Sequence, residues 1–178
     1  MVYDGLGSYW PTDVEASIIV GLSGYLAATG YSINTNVGGS IDLRVGYLDE
    51  LTALDRRTII VQIGSSNNIT EPMQIGLNGW QFTLECGIDV FTKTDKDTDI
   101  LLYQITRFLR DSVPYYNWSV SATGGLAAGY AGNQIYFDGI LATRDRKNFK
   151  SDETITNELL RHRGFVRFSA EFISENLN

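Results

Sequence analysis

Asn78-Gly79-Trp80-Gln81-Phe82-Thr83-Leu84-Glu85-Cys86-Gly87-Ile88-Asp89-Val90-Phe91 alternates with a period of two. Trp80, Phe82, Leu84, Cys86, Ile88 and Val90 fall on one side and Gln81, Thr83, Glu85, Gly87 and Asp89 on the other. That is the pattern of a long strand with a single dry face. Asn78-Gly79 in front of it is a hairpin-turn dipeptide, so Met73 to Leu77 is read as the first arm of a hairpin. Directly behind the strand, Leu101, Ile105, Phe108 and Leu109 recur at helical spacing. Thr94 or Asp95 can cap this helix. Asp95, Asp97 and Asp99 place negative charge at the positive end of its dipole, and Arg107 and Arg110 sit near the other end. Pro114 is read as its stop.

Working outward, Thr58-Ile59-Ile60-Val61-Gln62-Ile63 is a β-branched run of the kind found in a buried central strand. Ile41, Leu43, Val45 and Tyr47 alternate as a half-buried strand, and Leu48 to Arg57 is read as a charged loop or a single helical turn. Val14, Ile18, Leu22, Tyr25 and Leu26 form the apolar stripe of a first helix. Its predicted N-cap is Thr12, with Glu15 completing a capping box and Gly30 supplying the stop. Gly21 and Gly24 weaken that helix unless another backbone packs close to them. Toward the C-terminus, Gln134 to Thr143 is read as a strand, Arg144 to Lys150 as a basic turn, and Ser151 to Leu160 as a short helix. Val166, Phe168, Ala170 and Phe172 alternate in a closing strand after Gly164. The expectation is an α+β fold: one mixed, mostly antiparallel sheet packed by two main helices, with long loop or hairpin extensions. Residues 1–178 read as one domain. Residues 1–11 form an N-terminal arm and 115–133 a long loop rich in Gly, Ala and aromatics.

Composition narrows the function. Fourteen Lys and Arg against 21 Asp and Glu leave a net charge of −7, which argues against binding nucleic acid by phosphate neutralisation. The lone Cys86 rules out an intramolecular disulfide and fits a reducing compartment. The N-terminus has no secretory pattern, and no apolar run approaches the ~20 residues needed to span a bilayer. A soluble protein made in the cytoplasm is expected.

Residues able to carry chemistry do not cluster. His162 is the only histidine and lies between Arg161 and Arg163, as a surface residue in a basic turn would. One His and one Cys do not make a zinc site. Asp95, Asp97 and Asp99 resemble the start of a calcium loop, but Ile100 and Thr106 occupy the positions that require Gly and Glu. Ser65 lacks the second glycine of a nucleophile elbow, and Gly124, Gly125, Gly129 and Gly132 lead into no phosphate-loop lysine. No catalytic, cofactor-binding or metal-binding residues are assigned, and no enzyme activity is expected. Aromatic content is unusual at 12%, with Tyr3 and Trp10 in the arm and Tyr115, Tyr116 and Trp118 at the start of the long loop. Exposed aromatics favour interfaces. Together with Gly124, Gly125, Leu126 and Tyr130 of the small-residue run, these are the candidate interface residues. Capping of a small core is the plainer reading of the same aromatics.

The order of elements resembles that of the tail-terminator and neck proteins of long-tailed bacteriophages. The likeness rests on the first helix, Thr12 to Ala28, on the block Thr58 to Val113, and on the closing strand Phe165 to Ile173, together about half of the chain. The block runs through Trp80-Gln81-Phe82-Thr83-Leu84-Glu85-Cys86 into Asp99-Ile100-Leu101-Leu102. It is a likeness of pattern with no invariant motif, so no functional residue transfers individually. The resemblance implies a virion protein, assembled in the host cytoplasm, that forms a ring, most simply a hexamer. It would cap the tail-tube protein and join it to a head-completion or connector protein, while DNA passes through the lumen without specific binding. Residues 115–163 are longer than the compact plan requires, which leaves the tier open between terminator, stopper and collar. The competing reading is a small carbohydrate- or peptide-binding module that uses Tyr115, Tyr116 and Trp118 as a stacking platform.

Overall fold

The computed structural model describes residues 10–35, 40–45, 57–63, 73–75, 79–120, 126–145 and 162–174. Two helices lie on one face of a seven-stranded sheet. Helix α1 (Trp10–Ala28) is followed by β1 (Ile41–Val45), β2 (Arg57–Ile63), β3 (Met73–Ile75) and β4 (Gly79–Thr92). Then come α2 (Asp95–Phe108), β5 (Val113–Val120), β6 (Leu126–Asp145) and β7 (His162–Ser174). The sheet order is β1-β2-β4-β7-β6-β5, with β3 beside the start of β4. Among the described strands only β1 and β2 pair in parallel. The expected α+β class, with its mixed and mostly antiparallel sheet, is therefore what the chain forms.

The alternation read in β4 is the axis of the core. Phe82, Leu84, Cys86, Ile88 and Val90 are all buried, and their partners across the ladder are Phe172, Ala170, Phe168, Val166 and Gly164 of β7. Phe82 stacks on Phe172 with centroids 4.7 Å apart, and Tyr115 stacks on Phe172 at 4.6 Å. On the other side of β4, Ile59 and Val61 of β2 continue the same layer. Val14, Ile18, Leu22 and Leu26 of α1 and Leu101, Leu102, Ile105 and Phe108 of α2 close it from above. At Gly164 an added Cβ would lie 2.7 Å from Leu102 Cδ1 and 2.8 Å from Thr98 Cγ2. α2 thus seats directly on the backbone of β7.

Helix boundaries follow local chemistry. Thr94 is the N-cap of α2, and its Oγ1 accepts the Asp97 N–H at 3.1 Å. α1 ends with Gly30 at φ +97°, Tyr31 N–H donating to Leu26 O and Gly30 N–H to Ala27 O. That is the Schellman closure, which needs the left-handed residue that glycine supplies. Its start differs from expectation. The helix begins at Trp10, so Thr12 lies in the first turn and is not the cap, and Pro11 occupies a first-turn position that proline tolerates. Gly21 earns its place, since a Cβ there would sit 3.0 Å from Val113 Cγ1. Gly24 has nothing within 4 Å, so close packing explains only the first.

The largest correction concerns 115–133. Residues 115–120 and 126–133 are strand: β5 and β6 pair antiparallel, setting Tyr116 opposite Tyr130, Trp118 opposite Ala128 and Val120 opposite Leu126. Pro114, read as a helix stop, sits inside β5, where only one side of the strand carries a ladder and a missing N–H is tolerated. Arg144, assigned to a turn, lies in β6, and His162, also assigned to a turn, opens β7. The expected short helix Ser151 to Leu160, most of the Leu48 to Arg57 segment and residues 1–9 of the arm lie outside the described residues.

Candidate interface

Eight of the nine candidate residues separate into three groups, and Trp10 stands apart from them. Tyr3, Gly124 and Gly125 lie outside the described residues. Tyr115 is removed from any surface role: it is fully buried, stacked on Phe172, and its hydroxyl donates to Asp13 Oδ2 at 3.3 Å. Burial and then the neighbouring Asp13 push its phenol up from the ordinary value. A stacking platform of Tyr115, Tyr116 and Trp118 therefore loses its first member, because the buried ring has no face left for a sugar.

The third group is brought together by register. Tyr116, Trp118 and Val120 alternate along β5, and their partners Tyr130, Ala128 and Leu126 alternate along β6. Directly paired residues share a face, so Tyr116, Trp118, Leu126 and Tyr130 all belong to one face of a two-stranded ribbon. Asn117, Ser119, Ala127 and Gly129 belong to the other. Trp10 is the first residue of α1.

β6 is shared between two structures. From Tyr136 to Asp145 it pairs with β7 in the main sheet; from Leu126 to Ile135 its partner is β5 alone. The ribbon is anchored at its root by α1. Ser17 Oγ accepts the Tyr116 N–H at 3.0 Å, and Ser17 in turn bonds Asp13 O at 2.7 Å. The helix thus holds the free edge of β5 at Tyr116, four residues before the strand ends. At the opposite edge of the sheet, Asn34 (φ 51°) uses its side-chain amide to bond both the N–H and the C=O of Leu43 in β1, at 2.7 and 3.2 Å. An edge strand closed in this way is a poor template for another chain.

Several charged residues are engaged within the fold. Arg144 of β6 donates to both carboxylate oxygens of Asp99, at 2.9 and 2.7 Å, and reaches Asp95 Oδ2 at 3.2 Å. His162 Nδ1 lies 2.6 Å from Asp95 Oδ1, and Arg57 pairs with Asp97. The aspartates at the head of α2 thus tie the helix to β2, β6 and β7, besides serving its dipole. Across the sheet, Arg163 holds the buried Asp89 through Nε at 2.8 Å, with Gln62 on the second oxygen. Among the described residues no three His, Cys, Asp or Glu side chains could hold a metal ion. Cys86 is buried, and burial, then Glu15 and Glu85, push its thiol up, away from the reactive thiolate.

Sequence reasoning missed the ribbon because the small residues around 122–132 dominated its reading. The signal was nevertheless present: Tyr116-Asn117-Trp118-Ser119-Val120 alternates, and Gly124-Gly125 is a turn dipeptide between two candidate strands. No described helix is long and apolar enough to cross a membrane. No protein-family model and no curated protein sequence matches the chain.

Proposed function

We propose that this chain is a non-enzymatic structural subunit of a bacteriophage neck, forming a ring that caps the tail tube and meets a head-completion protein on its other side. The observation that carries the reading is the β5–β6 ribbon. It continues one strand of a closed two-layer domain beyond the main sheet, and it gathers Tyr116, Trp118, Leu126 and Tyr130 on one face. A ribbon rooted by Ser17 and built of apolar and small residues is suited to lie against a neighbouring subunit or the next ring. Interface centres favour Tyr and Trp, and small residues permit close backbone approach. The other edge of the sheet is closed by Asn34, so pairing between subunits would proceed from the ribbon side.

Light scattering over a concentration range, with negative-stain images of the same sample, tests the reading. Closed rings are expected, with retention of a purified tail-tube protein in a pull-down. A variant in which residues 118–128 are replaced by a short Gly-containing turn keeps Tyr115 and the core. It should fold as the parent does and fail to join heads to tails. Normal joining by that variant would remove the ribbon from the mechanism. Heat on titration with a glycan panel, from a protein that stays monomeric, would favour the binding-module reading instead.

A further inference from the structure

The outer surface of α2 and the open face of the sheet are complementary in charge and similar in length. Lys96, Ile100, Tyr103 and Arg107 of α2 are spaced four and three residues apart, so they lie on one stripe, and Arg110 follows it in the turn just past the helix. The stripe stands opposite Thr98, Leu101, Leu102 and Ile105, which face the core. The stripe residues and Arg110 are exposed, Tyr103 at 62%. Three cations thus flank two exposed apolar side chains. Among the described residues no ion pair consumes Lys96, Arg107 or Arg110; the nearby cations that do pair with aspartates are Arg57 and Arg144.

The far face of the sheet carries the counterpart. Register places its residues in rows across the strands: Met73, Gln81 and Ile173; then Thr83, Glu171 and Tyr136; then Glu85, Ser169 and Asp138; then Gly87, Arg167 and Leu141. Met73, Ile173, Tyr136 and Leu141 are each more than half exposed. The first three rows hold Glu171, Glu85 and Asp138 and no cation; Arg167 appears only in the fourth. Between Asp138 and Leu141, β6 carries one extra residue, and Gly139 takes φ +62°. A bulge of this kind bends the strand and increases its local twist. The stripe from Lys96 to Arg107 is about 17 Å long at the helical rise. The rows from Gln81 to Gly87 cover about 20 Å at the strand rise.

We infer that the exposed stripe of α2 in one copy docks on the outer face of β4, β7 and β6 of a second copy, in a head-to-tail contact. The helices and this sheet face lie on opposite sides of the two-layer domain, so each copy offers one surface to each neighbour. Such a heterologous contact propagates, and it closes into a ring where the two surfaces are inclined. The inference rests on the self-assembly part of the reading above and is independent of the identity of the tail and head partners. Opposite charge supplies steering and register, and the aromatic and aliphatic side chains supply the buried area.

Two complementary variants test it. R107E/R110E spoils the stripe and leaves the sheet face intact; E171K/D138K does the reverse. Each alone should lose self-association by at least about tenfold. Mixed, they should regain association with the two variants alternating, because the acidic stripe of one then meets the basic face of the other and the basic stripe meets the acidic face. Native-protein association should also weaken as salt rises. Contact is captured independently by mixing Y103C with Y136C, where a disulfide-linked heterodimer should exceed either homodimer; the native Cys86 is buried. If the native chain forms rings and both charge variants do so equally well, the surface pair is overturned while the ring reading stands. If the native chain stays monomeric and the cysteine pair yields no heterodimer, both are overturned.

Discussion

Neighbouring residues of β7 meet opposite fates. Phe172 is sealed between Phe82 and Tyr115, whereas Ile173, one residue on, stands 55% exposed on the outer face. The same holds along β4, where Cys86 is buried and Glu85 open to solvent. One face of the sheet is held by close packing between strands and helices. The other, along the rows from Gln81 to Gly87, carries isolated apolar side chains among carboxylates, which add little to the stability of the single chain, while Ile60 and Phe91 farther along the same face are buried. The difference separates the residues that make the fold from those left at its surface. Apolar character alone does not distinguish the two, since Ile173 and Phe172 are both hydrophobic.

That contrast can be broken by mutation. The largest effect is expected for Phe172→Ala, which removes a ring in contact with two others. It should lower stability by about 4 kcal/mol in denaturant unfolding, against less than about 0.5 kcal/mol for Ile173→Ala. Equal losses would mean that the outer face is also core. Asp89 sharpens the division, because it belongs to the outer alternation yet is buried. Asp89→Ala strands Arg163 and Gln62, and should cost about 2–3 kcal/mol, moderated by the partial exposure of Arg163. A surface-like cost under 0.5 kcal/mol would show that the pair contributes nothing.

A smaller effect, about 1 kcal/mol, is expected for Tyr115→Phe, which removes the hydroxyl that bonds Asp13. Because the folded-state phenol is raised above its unfolded value, its stabilising contribution is complete below about pH 10 and declines as pH climbs beyond it. The native protein should therefore lose stability in alkali more steeply than Y115F, as unfolding midpoints across pH would show. Smallest is the comparison within α1. Gly24→Ala, with open space around it, should stabilise by about 0.5–1 kcal/mol. Gly21→Ala, pressed against Val113 and Phe108, should gain nothing or lose. Thermal midpoints of the two variants decide it.

Much of the fold was legible because its strongest elements carry periodic signals. The alternation of β4 and β7, the β-branched run of β2 and the stripe and cap of α2 each follow from one-dimensional spacing. The β5–β6 ribbon was not legible in the same way. Its small residues read as loop, and Pro114 read as a stop, although a proline without an N–H is tolerated where one side of a strand has no partner. The placement of the candidate residues was partly legible. Tyr116, Trp118, Leu126 and Tyr130 do fall together, but Tyr115 was misassigned because its neighbours looked like loop.

The sequence by itself determined which residues must be hidden, since period-two and period-3.6 hydrophobicity allows few other ways to bury them. It also determined where α2 begins, because Thr94 and the aspartates after it satisfy free N–H groups locally. Only the tertiary structure decided the order β1-β2-β4-β7-β6-β5, the seating of Tyr115 against Asp13 and Phe172, and the pairing of Asp89 with Arg163. Those contacts join residues up to 102 positions apart, and no local preference encodes which distant partner a buried hydroxyl or carboxylate will meet. They form because burial leaves each polar group a choice between one hydrogen-bond partner and none.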